Sequence, residues 1–174
     1  MIDFLFNRTP LHFMTQSLWR DEVFSYLLAK KNIIEIISLT AQDFNPPFYY
    51  IILHFWIILF GKSEIALRSL SFIFFVLTIY IVSLFLDRII QVHKKRKWVY
   101  LSLFTLNPAL LYYAFEARMY SLYAFIATLS FYFFLRKKQI PYIIVSIIGL
   151  YTHYFFVFVI ATHIIFQVIM YRER

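Results

Sequence analysis

The chain contains no cysteine, which excludes disulfides, thiolate metal sites and a cysteine nucleophile; a metal could be held only by histidine and carboxylate ligands. Glycine occurs twice, as Gly61 and Gly149. Both fall between apolar runs, where a backbone without Cβ can turn, and they read as punctuation. Acidic residues are also scarce, nine among 174. Asp21, Glu22, Glu35 and Asp43 gather in the stretch 17–50, SLWRDEVFSYLLAKKNIIEIISLTAQDFNPPFYY. Carboxylates so rare in an apolar chain must be exposed, paired or used, because an unpaired buried charge is costly.

What is abundant is apolar. Hydrophobic residues make up 62% of the chain and aromatic residues 22%, and the mean hydropathy is +0.72. These values lie outside the ordinary soluble range and point to an all-α, polytopic membrane protein in a single domain, 1–174. The net charge of +8 does not indicate a nucleic-acid partner. The basic residues sit between apolar runs, where lysine and arginine mark cytoplasmic loops.

Residues 2–6 are apolar but interrupted by Asn7, Arg8 and Pro10, so neither a signal-peptide core nor a spanning helix is expected before Trp19. Asn7-Arg8-Thr9 matches the glycosylation sequon, a short pattern of little weight. Residues 18–39 read as one amphipathic helix, capped by Ser17, with Val23, Tyr26, Leu27, Ile33, Ile34 and Ile37 near one stripe. Asp21 and Glu22 then stand at the positive end of its dipole. Thr40 to Pro47 reads as a linker, and Pro46-Pro47 begins a new element. The apolar run 48–60 amounts to roughly 20 Å of helix, short of a hydrocarbon core of about 30 Å, and is expected at the interface.

Spanning helices are expected at 65–86, 98–114 and 119–135. The segment 141–170 is about 45 Å as one helix, too long for an upright span, so it is either a helical hairpin breaking near Gly149 to His153, which is preferred, or one long tilted helix. Basic residues cluster at Arg88 and Lys94 to Lys97, at Arg136-Lys137-Lys138, and at Arg172 and Arg174. That bias places these segments in the cytoplasm and the stretches 17–50, 61–64 and 116–118 outside. One face then collects Asp21, Glu22, Asp43, Arg68, Glu116, Arg118 and His153. Several of these residues have two open readings. Asp21 and Glu22 serve a site or a helix start; Glu116 and Arg118 bind substrate or pair with each other; Arg68 binds substrate or snorkels.

Carboxylates, arginines and tyrosines at a membrane surface suit a ligand with hydroxyls, a phosphate and a lipid tail. Arginine clamps phosphate bidentately, a carboxylate deprotonates a hydroxyl, and tyrosine stacks on sugars. The ordered set Leu18-Trp19-Arg20-Asp21-Glu22 with Ser25, Asp43-x-x-Pro46-Pro47-x-Tyr49, Glu64 with Arg68, Pro108, Glu116-Ala117-Arg118-Met119-Tyr120 and Tyr151-Thr152-His153-Tyr154-Phe155 resembles the GT-C superfamily of membrane glycosyltransferases. More narrowly, it is similar to family 39 and its protein O-mannosyltransferase-like and aminoarabinose transferase-like bacterial relatives. The resemblance runs from about residue 10 to 170.

It implies a helical bundle whose first outer loop, with juxtamembrane helices, carries the catalytic acids. It also implies transfer of a sugar from a polyprenyl-phosphate donor to a hydroxyl of protein, lipid or polysaccharide on the outer face of the plasma membrane. Carried over, Asp21, Glu22 and Asp43 are the catalytic candidates, with Asp21 as general base or acceptor-orienting group. Arg68, Glu116, Arg118, Tyr120 and His153 are the substrate-binding candidates. No cofactor is certain, and a divalent metal is compatible with the residues. Family members carry a spanning helix before the Asp-Glu loop and extend well past the position of residue 174, so the chain is expected to be the N-terminal part of a larger enzyme, with the remainder as a partner. The competing reading is a non-catalytic membrane protein, a transporter fragment or an assembly subunit.

Overall fold

The computed structural model describes residues 9–43 and 45–172, and among these it is all-α, with no strand. The sequon and the apolar residues 2–6 lie outside the described residues, as does Arg174, apart from Thr9 of the sequon. A 3-10 turn, Pro10–Met14, precedes helices α1 (Arg20–Ala29), α2 (Ile33–Thr40), α3 (Phe48–Phe60) and α4 (Glu64–Phe85). A π-helical turn, Leu86–Ile90, prolongs α4 and is followed by α5 (Lys94–Thr105), α6 (Pro108–Ala114), α7 (Tyr120–Leu135), α8 (Gln139–Leu150) and α9 (Phe156–Arg172).

The stretch 18–39 is two helices rather than one. The chain breaks at Lys30–Asn32, where the Asn32 side chain accepts the Glu35 amide at 2.9 Å and starts α2 afresh, a standard use of asparagine at an N-cap. Ser17 is not the cap of α1. Trp19 takes that position, and its amide donates to Glu22 Oε2 at 3.3 Å. The buried face of these two helices is Glu22, Ser25, Leu28, Ala29, Ile36 and Thr40, while Leu27, Ile33, Ile34 and Ile37 are exposed. Of the expected apolar stripe, Val23 and Tyr26 are partly buried and the other four residues face outward, while the inward face combines Leu28, Ala29 and Ile36 with the Glu22 carboxylate.

The run 98–114 is also divided. Asn107 accepts the amides of Ala109 and Leu110 at 3.0 and 3.3 Å, and Pro108 occupies the first position of α6. Proline fits the first turn of a helix and breaks its interior, so α5 ends and α6 begins there. The segment 141–170 forms two helices. Gly149 lies inside the last turn of α8, and an added Cβ there would collide with the Phe156 ring. Glycine is thus required by a close approach of α9 rather than by a turn. Gly61, by contrast, ends α3 at φ +85°, where the lack of a Cβ removes the strain.

Among the described residues one helix, Glu64–Ile90 with 27 residues, is long and apolar enough to cross a membrane. The apolar helices α3, α7, α8 and α9 are shorter; at 1.5 Å per residue they reach roughly 18–26 Å. Helix α7 is the main partner of α4, and α8 packs on the other side of α7. Helices α4 and α7 run in the same direction, since Ser71 Oγ donates to the Arg118 carbonyl at 3.3 Å near their starts and the Phe74 and Phe125 rings lie 5.8 Å apart further along. The starts of both helices, with Arg68 and Arg118, therefore share one end of the bundle. Their far ends bring Arg88, Lys94 to Lys97 and Arg136 to Lys138 to the other. The α8–α9 turn returns to the first end, where the Phe48 amide donates to the Tyr151 carbonyl at 3.0 Å.

Candidate functional site

The acid-bearing end is organised by a buried ion pair. Glu22 and Arg68 are only 1% and 3% exposed. Arg68 Nε donates to Glu22 Oε1 at 2.8 Å and Nη2 to Oε2 at 2.6 Å, the bidentate fork that makes this pairing strong. The other donors of Arg68 reach the carbonyls of Met14, Gln16 and Ser17 at 3.3, 2.6 and 3.4 Å. Glu22 also accepts the Ala117 amide at 2.8 Å. Every hydrogen-bonding direction of the pair is taken, so it ties the first segment, α1, α4 and the α6–α7 loop together. Arg68 does not snorkel and has no donor left for a phosphate; Glu22 has no lone pair left for a proton. Both leave the set of catalytic and substrate-binding candidates and become its framework.

One residue earlier, Asp21 projects about 100° around the same helical turn, away from the buried pair. Its Oδ2 accepts from Arg118 Nη1 at 2.8 Å, and its side chain remains 43% exposed. No described residue bonds its Oδ1. Arg118 lies over the Tyr120 ring, with Cζ 4.7 Å from the centroid, a cation–π arrangement that fixes the guanidinium plane. The helix start that the sequence indicates for Asp21 thus coexists with an accessible carboxylate.

Glu116 is 4% exposed, and neither carboxylate oxygen has a hydrogen-bond partner. Arg118 Nη1 stands 3.7 Å from its Oε1, too far for a hydrogen bond. Burial pushes the Glu116 carboxyl up to about 7, partly offset by Arg118 and reinforced by the negative charges of Glu22 and Asp21. The group faces a cavity of about 280 Å3 walled by Phe13, Trp19, Tyr112 and Phe115 above the Glu22–Arg68 pair. A half-protonated carboxyl in such a place can give or take a proton near neutral pH.

His153, in the α8–α9 turn, packs its ring 6.1 Å from Tyr120 and 5.3 Å from Tyr123. Its Nδ1 accepts the Phe155 amide at 3.1 Å. Burial, and then the charge of Arg118, lower its pKa. The neutral ring therefore carries its proton on Nε2 and is a donor there. Asp43 is half-buried and accepts from Asn45 Nδ2 at 3.2 Å. It is joined to the others electrostatically through Tyr50, whose hydroxyl is raised by burial and then by Asp43, while Arg118 counteracts and Tyr120 and Asp21 add to the rise.

The structure therefore brings Asp21, Glu116, Arg118, Tyr120 and His153 into one cluster with Asp43 at its margin. Tyr50 is the member that sequence reasoning passed over. The motif draws attention to Tyr49; both tyrosines are buried, Tyr49 beside Glu22 and Glu116 and Tyr50 beside Asp43, Arg118 and Asp21. The helical offset of one residue across Pro46-Pro47 was the available signal. As for a metal, no group of three or more His, Asp or Glu side chains is arranged to hold an ion among the described residues. Compared with protein-family models, curated proteins and solved structures, the chain finds no match.

Proposed function

We propose that this chain forms the acceptor-side catalytic end of a membrane-embedded GT-C-type glycosyltransferase, moving a sugar from a polyprenyl phosphate to a hydroxyl on the outer face of the plasma membrane. Embedding is supported by the amount of apolar surface left outward, including Ile58, Leu59, Phe60, Ile144, Phe158 and Ile164, all more than half exposed. A water-soluble surface rarely carries so much. The orientation follows from the split of charge, with the cations of Arg88 to Lys97 and Arg136 to Lys138 at the inner end.

The observation that carries the reading is the exposed Asp21 carboxylate fastened by one oxygen to Arg118. In this reading Oδ1 of Asp21 accepts the proton of the incoming hydroxyl as its oxygen attacks the anomeric carbon. The bond from that carbon to the phosphate oxygen breaks, and its electron pair leaves with the polyprenyl phosphate. The charge that grows on the phosphate is met by the remaining donors of Arg118 and by His153 Nε2–H. Tyr120 offers its hydroxyl to the sugar, while Tyr50, only 2% exposed, belongs to the surrounding packing. Glu116, its carboxyl raised to about 7 by burial, exchanges a proton beside this path rather than standing as a fixed negative charge.

The test is consumption of a radiolabelled polyprenyl-phosphate sugar by membranes containing the chain. The Asp21→Asn variant keeps the hydrogen bond to Arg118 but has no basic oxygen, and transfer is expected to fall on the order of 10²–10⁴-fold with membrane accumulation unchanged. Unchanged transfer in this variant removes Asp21 from the chemistry, and donor consumption no greater than in membranes lacking the chain favours a non-catalytic scaffold or a transporter piece.

A further inference from the structure

A second polar feature lies at the opposite, basic end of the bundle, remote from Asp21. Between the end of α7 and helices α8 and α9 a groove of about 390 Å3 is bordered by Lys137, Lys138, Gln139, Tyr142 and Gln167. It continues, across Phe134, Tyr142 and Gln167, into an open, shallow chamber of about 280 Å3 bordered by the exposed Ile164 and Val168. At the mouth Lys137 has φ +54°, a left-handed conformation unusual for a residue with a side chain. That turn is held by the Lys137 amide on the Phe134 carbonyl and the Lys138 amide on the Phe133 carbonyl, both at 3.0 Å.

Both lysines are exposed, and no described carboxylate pairs with either. Helix α8 begins here with Lys138 at its N-cap position, no side-chain cap and no acidic residue in its first turn. The free amides of Gln139 and Ile140 add to the positive potential.

In the chamber, His163 is fully buried, and its Nε2 has no hydrogen-bond partner. Nδ1 lies 3.1 Å from the Tyr142 hydroxyl. The pairing of Nδ1 with the Tyr142 hydroxyl leaves Nε2 in an apolar wall with no partner, and the tautomer in which the phenol donates to Nδ1 makes that nitrogen a donor. A buried ring nitrogen without a partner is the kind of group that another molecule can complete. The groove combines a cationic mouth at the ends of apolar helices, an interior donor, and an apolar floor continuous with the exposed side chains of Ile164, Ile165 and Val168.

We propose that this groove binds one anionic glycerophospholipid, its phosphate between Lys137, Lys138 and the start of α8, an ester carbonyl on His163 Nε2–H, and an acyl chain along α9. Each part of the groove meets its complement in one molecule. Free phosphate leaves the apolar floor and His163 unused, and a zwitterionic lipid brings a compensating cation to a mouth that is already positive. The site depends on the embedding of the chain and not on sugar transfer, so either assignment can fail without the other.

The experiment is titration of the purified chain in neutral detergent with phosphatidylglycerol, phosphatidylcholine or inorganic phosphate, following the thermal midpoint and counting bound lipid by native mass spectrometry. The variants are Lys137→Asn with Lys138→Gln, asparagine being tolerant of the left-handed backbone. Lys94→Gln with Lys95→Gln is the control, removing equal charge elsewhere at the same end. Phosphatidylglycerol is expected to raise the midpoint and saturate at one lipid per chain, with at least tenfold weaker apparent affinity in the 137/138 variant and unchanged affinity in the 94/95 variant. Equal weakening in both variants means diffuse attraction and overturns the site. So does a midpoint rise reproduced by phosphatidylcholine or by inorganic phosphate alone.

Discussion

At the scale of single residues, two neighbouring carboxylates in one turn of α1 have opposite fates. Glu22 is enclosed by four donors and serves the framework, whereas Asp21 keeps a free oxygen and an open face. Removing one partner of a buried ion pair strands the other, so Arg68→Met and Glu22→Gln are each expected to destabilise the chain by about 3–5 kcal/mol. Chemical denaturation in detergent measures this, and a loss under about 1 kcal/mol contradicts the assignment of a buried pair. Glu116 gives a pH signature. Its folded-state pKa, about 7, lies above its ordinary value of 4.5, so the folded chain holds a proton that the unfolded chain releases. The resulting stability is fully present below about 4.5, falls as pH rises, and is lost above about 7. Glu116→Gln is therefore expected to flatten the stability profile over that window and to exceed the native chain at pH 8. An unchanged slope between pH 5 and 7 speaks against a buried carboxyl there. The sequence shows where Asp21, Glu22, Arg68 and Arg118 lie along the chain but not which carboxylate meets which arginine. Those pairings cross 46 and 97 residues, and they depend on which side of one helical turn faces inward.

At the scale of elements, the apolar runs locate α3, α4, α7 and the pair α8 and α9 within a few residues, because length and hydropathy act over many positions. The breaks inside 18–39 and 98–114 are harder to see. Each depends on a single asparagine capping a new helix, Asn32 or Asn107, against an apolar pattern that continues through it. Asn107→Ala is expected to cost about 1 kcal/mol through loss of that cap, read as a lower midpoint with the helical content nearly unchanged. The packing of α8 on α9 offers a sharper test. A methyl group at position 149 collides with the buried Phe156 ring, so Gly149→Ala should cost about 1–3 kcal/mol despite alanine's higher helix propensity. A stabilised variant contradicts the close approach. If Phe156→Leu in the same chain recovers part of the loss, the clash is identified as its cause.

At the scale of the whole molecule, charge is partly sorted by end, with Asp21, Glu22, Glu116 and their two arginines near the starts of α4 and α7 and the lysine clusters, with Asp87 among them, at the far ends. The native absence of cysteine makes this sorting directly testable by single substitutions. In right-side-out membranes a maleimide that cannot cross the bilayer should label Lys62→Cys at once and Lys95→Cys only after permeabilisation; immediate labelling of both contradicts the orientation. The all-α class was legible from composition, and one span of 27 residues is long enough to cross. Several other apolar helices among the described residues are shorter than a hydrocarbon core of about 30 Å, and crossing it would take local thinning or neighbouring helices, since tilt only shortens their reach. The most direct measurement of the central claim is transfer from a radiolabelled polyprenyl-phosphate sugar in membranes carrying either the native chain or Asp21→Asn at matched abundance. The account predicts turnover in the first and a loss on the order of 10²–10⁴-fold in the second. Equal turnover in both, or donor left unconsumed by the native chain, contradicts it.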